Sequence, residues 1–386
     1  MTGVGGPNYF YRRLQSKPVI VERRKASACH VCGEDSVPVS SFLGVCRKCI
    51  IKGKGADRAR EAHRRGKSRF DLPGEIPQTG VPCDQCVNRC KIEDGEKGYC
   101  GIRGNAEGAV GPLVKGAVVE WYYDPLPTNC VATFVCPGGT EAGYPKYSHE
   151  PGPEYGHKNL AVFYGACSYD CLFCQNWSYR LLTRELRPVI SSEDLASKAD
   201  EKTSCICYFG GDPTPQINHA IRTSEIAMRR GGITRVCFET NGSMSRGLLK
   251  KIAGLSYESG GCIKFDLKTW NDGLHKALCG ASNRNTLSNF KWLAEYEKER
   301  GERGFPLAIA STLMIPGYVE ADEVSLIAEF IADINPEIPY SLLAFHGAYE
   351  MTDMPTTLQR TADECLSAAL GHGLRTVNIG NKHLLR

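Results

Sequence analysis

From about residue 159 to its end, this chain alternates short apolar runs with longer helix-patterned stretches. That alternation limits the fold more than any other feature of the sequence. The apolar runs are Leu160–Tyr164, Ser204–Phe209, Ile233–Glu239, Cys262–Leu267, Leu307–Met314, Tyr340–Phe345 and Arg375–Ile379. Helical patterns over 191–202, 217–230, 245–255, 286–300, 322–333 and 356–371 separate them. Strand, loop and returning helix, repeated, predict parallel strands with right-handed crossovers. Six or seven such units predict an α/β fold, a partial or open (β/α) barrel. Its chemistry belongs at the C-terminal ends of the strands.

Two further zones precede this one. Residues 1–75 are basic and contain glycine; residues 76–158 are rich in Gly, Pro, Cys and Tyr. The chain has 386 residues with 42% apolar side chains, enough for a large core with appendages. A net charge of +4 is too mild to argue for nucleic acid by itself. The start, Met1-Thr-Gly-Val-Gly-Gly-Pro7, has no charged-then-apolar signal pattern, and no apolar run is long enough to span a bilayer. The expectation is a soluble cytoplasmic chain without a membrane partner. In that compartment its 19 cysteines read as metal ligands where they are grouped.

The groups are three. Cys167, Cys171 and Cys174 occupy one short loop directly after the first strand, in Ala166-Cys-Ser-Tyr-Asp-Cys-Leu-Phe-Cys-Gln-Asn-Trp177. Zinc sites prefer four protein ligands and paired knuckles, which a lone CxxxCxxC lacks. Three thiolates can instead hold three irons of a [4Fe-4S] cube and leave the fourth open. Cys83, Cys86, Cys90 and Cys100 supply four thiolates around a turn-rich segment, a pattern for a closed zinc or iron site or a second cluster. Cys29-His-Val-Cys32 and Cys46-Arg-Lys-Cys49 are two knuckles with thirteen residues between them, a zinc-ribbon signature of structural character. The basic stretch Lys52–Arg69 follows. A solvated helix or linker docking an acidic protein is favoured there over a nucleic-acid arm.

The cysteine loop resembles the signature of the radical S-adenosylmethionine (SAM) superfamily. Gly210-Gly-Asp-Pro213, Glu239-Thr-Asn-Gly242, Lys264-Phe-Asp-Leu-Lys268 and Leu313-Met-Ile-Pro-Gly-Tyr318 end successive strands as that superfamily's segments do. The resemblance implies a partial (β/α)6 TIM-type barrel with N-terminal cysteine-rich metal-binding extensions. It also implies a [4Fe-4S] cluster on Cys167, Cys171 and Cys174, SAM on the open iron and an external one-electron reductant. SAM contacts would come from Gly210 and Gly211, which let the backbone approach and accept from the ammonium, and from Asp212. Glu239 and Asn241 would take the ribose, Asp266 and Lys268 would position SAM or substrate, and backbone near Ile315 would take adenine. Phe173 joins this set.

Over residues 83–386 the likeness is to the AmmeMemoRadiSam-like branch and, more distantly, to activating enzymes of glycyl-radical enzymes. Within it the added cysteine sites resemble cobalamin-dependent radical SAM protein methyltransferases. These C-methylate a glutamine of the methyl-coenzyme M reductase alpha subunit in methanogens. That resemblance implies cobalamin, with His346 as a cobalt ligand or proton donor; no Asp-x-His-x-x-Gly motif is present. The alternatives are a glycyl-radical activase-like protein and a zinc-ribbon RNA-associated modification enzyme. Cys130 and Cys136, in the 123–147 insert, read as packed thiols, extra ligands or a redox pair, and a thiolate from them or a tyrosinate from Tyr122 or Tyr123 could cap the open iron.

Overall fold

A computed structural model describes residues 27–128, 130–301 and 303–386. The opening Met1–Pro7 stretch lies outside the described residues. In chain order the elements are α1 (Arg47–Ile51), α2 (Ala56–Ser68), β1 (Val81–Pro82), β2 (Lys91–Ile92), β3 (Arg103–Ala106), β4 (Ala109–Pro112), β5 (Ala117–Pro125), β6 (Lys158–Tyr164), α3 (Tyr179–Glu185), β7 (Val189–Ile190), α4 (Ser192–Ala196) and β8 (Thr203–Gly210). Then follow α5 (Ile217–Met228), β9 (Arg235–Thr240), α6 (Arg246–Ser259), β10 (Ile263–Asp266), α7 (Asp272–Cys279), α8 (Arg284–Arg300), β11 (Ala308–Met314), α9 (Ala321–Ile334), β12 (Tyr340–Ala344), α10 (Gln359–Gly371) and β13 (Val377–Gly380).

Seven strands, β6 and β8 to β13, pair in parallel in sequence order, as the alternation predicts. This is an α/β fold with a mostly parallel sheet, the partial barrel expected. The inner strands, such as β6 and β11, are buried on both faces, which is why they read as near-continuous apolar runs, while the edge strand β13 is half-buried. Each returning helix presents one apolar stripe to the sheet. In α9 the buried positions Val324, Ile327, Ala328 and Ile331 have the i, i+3, i+4, i+7 spacing of such a stripe. No helix among the described residues is long and apolar enough to cross a membrane.

Several elements differ from the sequence expectation, among them α7 (Asp272–Cys279), which precedes the helix expected over 286–300. β5 adds an antiparallel strand beside β6, in register from Val119–Tyr164 to Pro125–Lys158. The first crossover carries two short helices, α3 and α4, where one was expected over 191–202. Ser191 caps α4, its hydroxyl accepting from the Asp194 N–H at 3.0 Å.

The N-terminal zone packs onto the strand ends. Val39, Phe42, Leu43 and Val45 share one buried cluster with Phe163, Leu172 and Phe345. Helix α2, read as a solvent-facing charge run, buries Ala59, Ala62, His63, Gly66 and Lys67 along one face. Its outer arginines are paired within the chain: Arg60 with Asp57, Arg64 with Glu61 and Glu75.

Candidate active site

The loop after β6 is where the chemistry-bearing side chains gather. Cys167, Cys171 and Cys174 line one cavity of about 370 Å³ at the C-terminal ends of the parallel strands. Phe173, Gly210, Gly211, Asp212, Glu239, Asn241, Asp266 and Lys268 line it as well. Burial raises the thiols of Cys167 and Cys174; a hydrogen bond with Cys279 and then burial raise that of Cys171. Iron must displace those protons on binding.

The loop is held in shape from two sides. Asp170 N–H donates to the Cys279 carbonyl at 2.8 Å, and Leu172 N–H to the Leu278 carbonyl at 2.9 Å. The Asp170 carboxylate is fully buried between Arg180 at 2.5 Å and His63 Nδ1 at 2.9 Å. Burial alone would raise this carboxyl, but Arg180 and His63 hold it well below its ordinary range. His63 Nε2 faces the carbonyls of Lys276 and Ala277 at 3.2 and 3.1 Å. Lys67, one turn further along α2, donates to the Tyr99 carbonyl at 2.7 Å, and burial pulls its ammonium down to about 8. Helix α2 is therefore a buttress of the cysteine loop. No spacing in the sequence signals this, because His63 and Asp170 are 107 positions apart.

Several expected SAM contacts serve the scaffold. A Cβ on Gly211 would stand 2.1 Å from the Ala166 carbonyl oxygen, and one on Gly210 2.4 Å from Tyr164 N. These glycines let the β8 end close against the cysteine loop. Asp212 accepts from Thr214 N–H at 2.7 Å, Asn241 N–H at 2.7 Å and Thr240 Oγ1 at 2.9 Å, clamping two strand ends together. Asn241 Nδ2 donates to Ser168 Oγ at 2.9 Å and lies 3.7 Å from Cys167 Sγ.

Glu239 pairs with the buried Lys264 at 3.1 Å, and Asp266 with Lys268 at 2.7 Å. Ser311 Oγ donates to Asp266 at 2.9 Å. Lys264 and Ser311 also face the cavity and were not singled out from the sequence. Both sit at strand positions in step with a flagged residue, Lys264 two before Asp266 and Ser311 opposite it.

Ile315 and His346 lie away from the cavity lining. The Ile315–Tyr318 turn docks the N-terminal zone instead. Tyr318 Oη donates to the Val45 carbonyl at 3.0 Å and accepts from Ser40 N–H at 3.1 Å. His346 is exposed, its Nδ1 3.2 Å from the Gly347 carbonyl. Tyr123 Oη donates to the Lys198 carbonyl at 2.6 Å, and Tyr122 packs edge-on against Phe209; neither lines the cavity. The lining contains no histidine, so it offers no imidazole to a cobalt cofactor.

The sulfurs of Cys29, Cys32, Cys46 and Cys49 lie within 4.8 Å of one another, a closed four-thiolate set that suits one tetrahedral ion. Cys83, Cys86, Cys90 and Cys100 line one small cavity beside the barrel. Their knuckle is tied to the strand ends: Gln85 Nε2 donates to the Thr214 carbonyl at 2.7 Å, and Asn88 Nδ2 to the Ser168 carbonyl at 2.6 Å.

The model of the Radical SAM superfamily matches residues 161–330. An uncharacterized protein of Methanocaldococcus jannaschii is 26% identical over 313 residues, 80% of this chain and 83% of the relative. Pyruvate formate-lyase 1-activating enzyme of Escherichia coli K12 is 27% identical over 195 residues, 48% of this chain and 73% of the relative. The crystal structure of a domain of pyruvate-formate lyase-activating enzyme from Bacteroides vulgatus aligns with 45% of this chain and 98% of its own, at 21% identity and a TM-score of 0.35. The stretch that matches the Radical SAM superfamily model, residues 161–330, is the one that carries the three cysteines and most of the parallel sheet.

Proposed function

We propose that this chain generates a carbon-centred radical from SAM and uses it to remove a hydrogen atom from a polypeptide, as an activase-like enzyme. One observation carries the reading: Cys167, Cys171 and Cys174 open onto a cavity whose other wall is polar and paired, at the strand ends. Cys167, Cys171 and Cys174 would hold the cluster, and Glu239, Asp266, Lys268 and Ser311 would hold SAM. When bound, a [4Fe-4S] cluster with one open iron and SAM together supply reductive cleavage to methionine and a 5′-deoxyadenosyl radical.

The chain's own residues provide placement and exclusion. Asn241 donates toward Cys167 Sγ and Ser168, fixing the loop against β9. Asp266, shared between Lys268 and Ser311, presents a fixed charge rather than a mobile one. Phe173, Phe209, Leu313 and Leu343 form the apolar part of the wall and keep water from a reactive carbon. The polypeptide substrate rests on likeness to an enzyme named for activating pyruvate formate-lyase 1.

Cobalamin-dependent C-methylation of a glutamine in methyl-coenzyme M reductase is the other outcome of the same test. The reconstituted chain is incubated anaerobically with SAM, reductant and candidate partner proteins. A partner that acquires a stable paramagnetic centre supports activation. A partner peptide that gains one CH2, in a reaction requiring added corrinoid, moves the assignment to methyl transfer.

A further inference from the structure

Eleven of the 19 cysteines belong to the three groups already described, and eight remain. Six of these, Cys130, Cys136, Cys205, Cys207, Cys237 and Cys262, line one internal cavity beneath the SAM-side chamber. They come from three neighbouring parallel strands and one loop. Cys205 and Cys207 alternate along β8, so they share a face. Cys207 is in register with Cys237 of β9, and Cys262 immediately precedes β10. Cys130 and Cys136 enter from the segment after β5.

Free cysteines in a core usually act as small apolar groups. This set has a different environment. Lys264 Nζ lies 3.1 Å from Cys130 Sγ and 3.2 Å from Cys207 Sγ, and is 2% exposed. The Arg235 guanidinium, equally buried and paired with Glu154, lines the same cavity. Arg235 is turned to Glu154 and the Tyr147 carbonyl, but the buried Lys264 ammonium is directed at two sulfurs and offsets thiolate charge, which neutral packed thiols do not need.

One sulfur pair has the spacing of coordination. Cys237 Sγ and Cys262 Sγ are 3.9 Å apart, against 3.7 Å for Cys32 and Cys46 in the N-terminal four-cysteine set. Two sulfurs at about 2.3 Å from a tetrahedral ion stand about 3.8 Å apart. The cavity holds about 30 Å³, room for one ion and too little for a four-iron cube.

We propose that this cavity is a metal site for one thiophilic ion of the zinc or ferrous type. Cys237 and Cys262 form one edge of its ligand set, and Cys136 and Cys207, neither of which stands within 4.8 Å of both those sulfurs, move in to close it on binding. Binding releases the thiol protons and changes no oxidation state. Lys264 lines both this cavity and the chamber above, so a single side chain separates the ion from the substrate space.

The test uses the full chain, prepared and reconstituted without oxygen. The double variant Cys237→Ser, Cys262→Ser should lose one metal equivalent per chain while keeping its cluster absorption and the ion of the N-terminal set. Unchanged metal content in the folded double variant overturns the proposal, as does recovery of Cys237 and Cys262 as a disulfide from wild type. Should the double variant not fold, wild type decides. Peptide-level alkylation of Cys136, Cys207, Cys237 and Cys262 should appear only after a chelator removes one ion. Equal labelling with and without chelator contradicts the site.

Discussion

The N-terminal four-cysteine set and the loop after β6 solve opposite problems with the same ligand. At the N-terminus, four sulfurs converge within 4.8 Å of one another, so an ion there has no free position. In the loop, three sulfurs line a cavity shared with Glu239, Asp266 and Lys268, so a bound metal keeps an open side. The closed set gains a fold from its metal; the open one needs its fold supplied by the surroundings. The supply is visible in Asp170, Arg180 and His63, which hold the loop from behind. The closed site thus belongs to the apparatus that shapes the open one, through α2 and the Tyr318 contact.

The largest expected effect separates the two sites directly. Cys171→Ala should abolish the iron–sulfur absorption of the reconstituted chain and leave the ion of the N-terminal set in place, as counted by elemental analysis. Cys32→Ser together with Cys49→Ser should do the reverse: the N-terminal ion is lost, and proteolysis opens the region before α2 while iron is still taken up. Loss of iron in both variants would mean the sites are one cooperative unit.

Next comes the support behind the loop. Asp170→Asn leaves Arg180 buried without its counter-charge and should cost about 3–5 kcal/mol, read as a shift in denaturant midpoint. His63→Ala removes one charge-assisted hydrogen bond to Asp170 and should cost about 1.5–3 kcal/mol. A value near zero for His63→Ala would remove α2 from the account.

The effect confined to the narrowest range of conditions is a pH dependence. His275 is fully buried beside Tyr169, and burial lowers its pKa from 6.5 to about 4. The folded state therefore keeps it neutral while the unfolded chain takes up a proton. Stability present above 6.5 is lost as pH falls toward about 4, by up to about 3 kcal/mol. His275→Gln should flatten that part of the profile, measured by chemical unfolding across the window.

The parallel strands and the cysteine loop were legible because each is written in consecutive residues. Leu160–Tyr164 is a continuous apolar run, and its loop follows at once. β5 was missed although Val118-Val-Glu-Trp-Tyr-Tyr123 is rich in strand-forming side chains, because Gly and Pro on both sides masked it. A strand-end turn such as that at Ile315 looks alike in sequence whether it faces a ligand or another segment. Only the distant partners Ser40 and Val45 show that this turn is a docking point. The barrel-floor thiols were invisible for a related reason. Cys205, Cys207, Cys237 and Cys262 form no spaced motif along the chain and meet only when three strands align.

The central claim is that the loop's metal has an open corner that takes SAM. The most direct measurement is 5′-deoxyadenosine formed by the reconstituted chain, given SAM and a strong reductant without oxygen. Reductive cleavage by wild type and none by Cys171→Ala is the predicted result. A full complement of cluster iron on Cys167, Cys171 and Cys174 with no cleavage of SAM would contradict it.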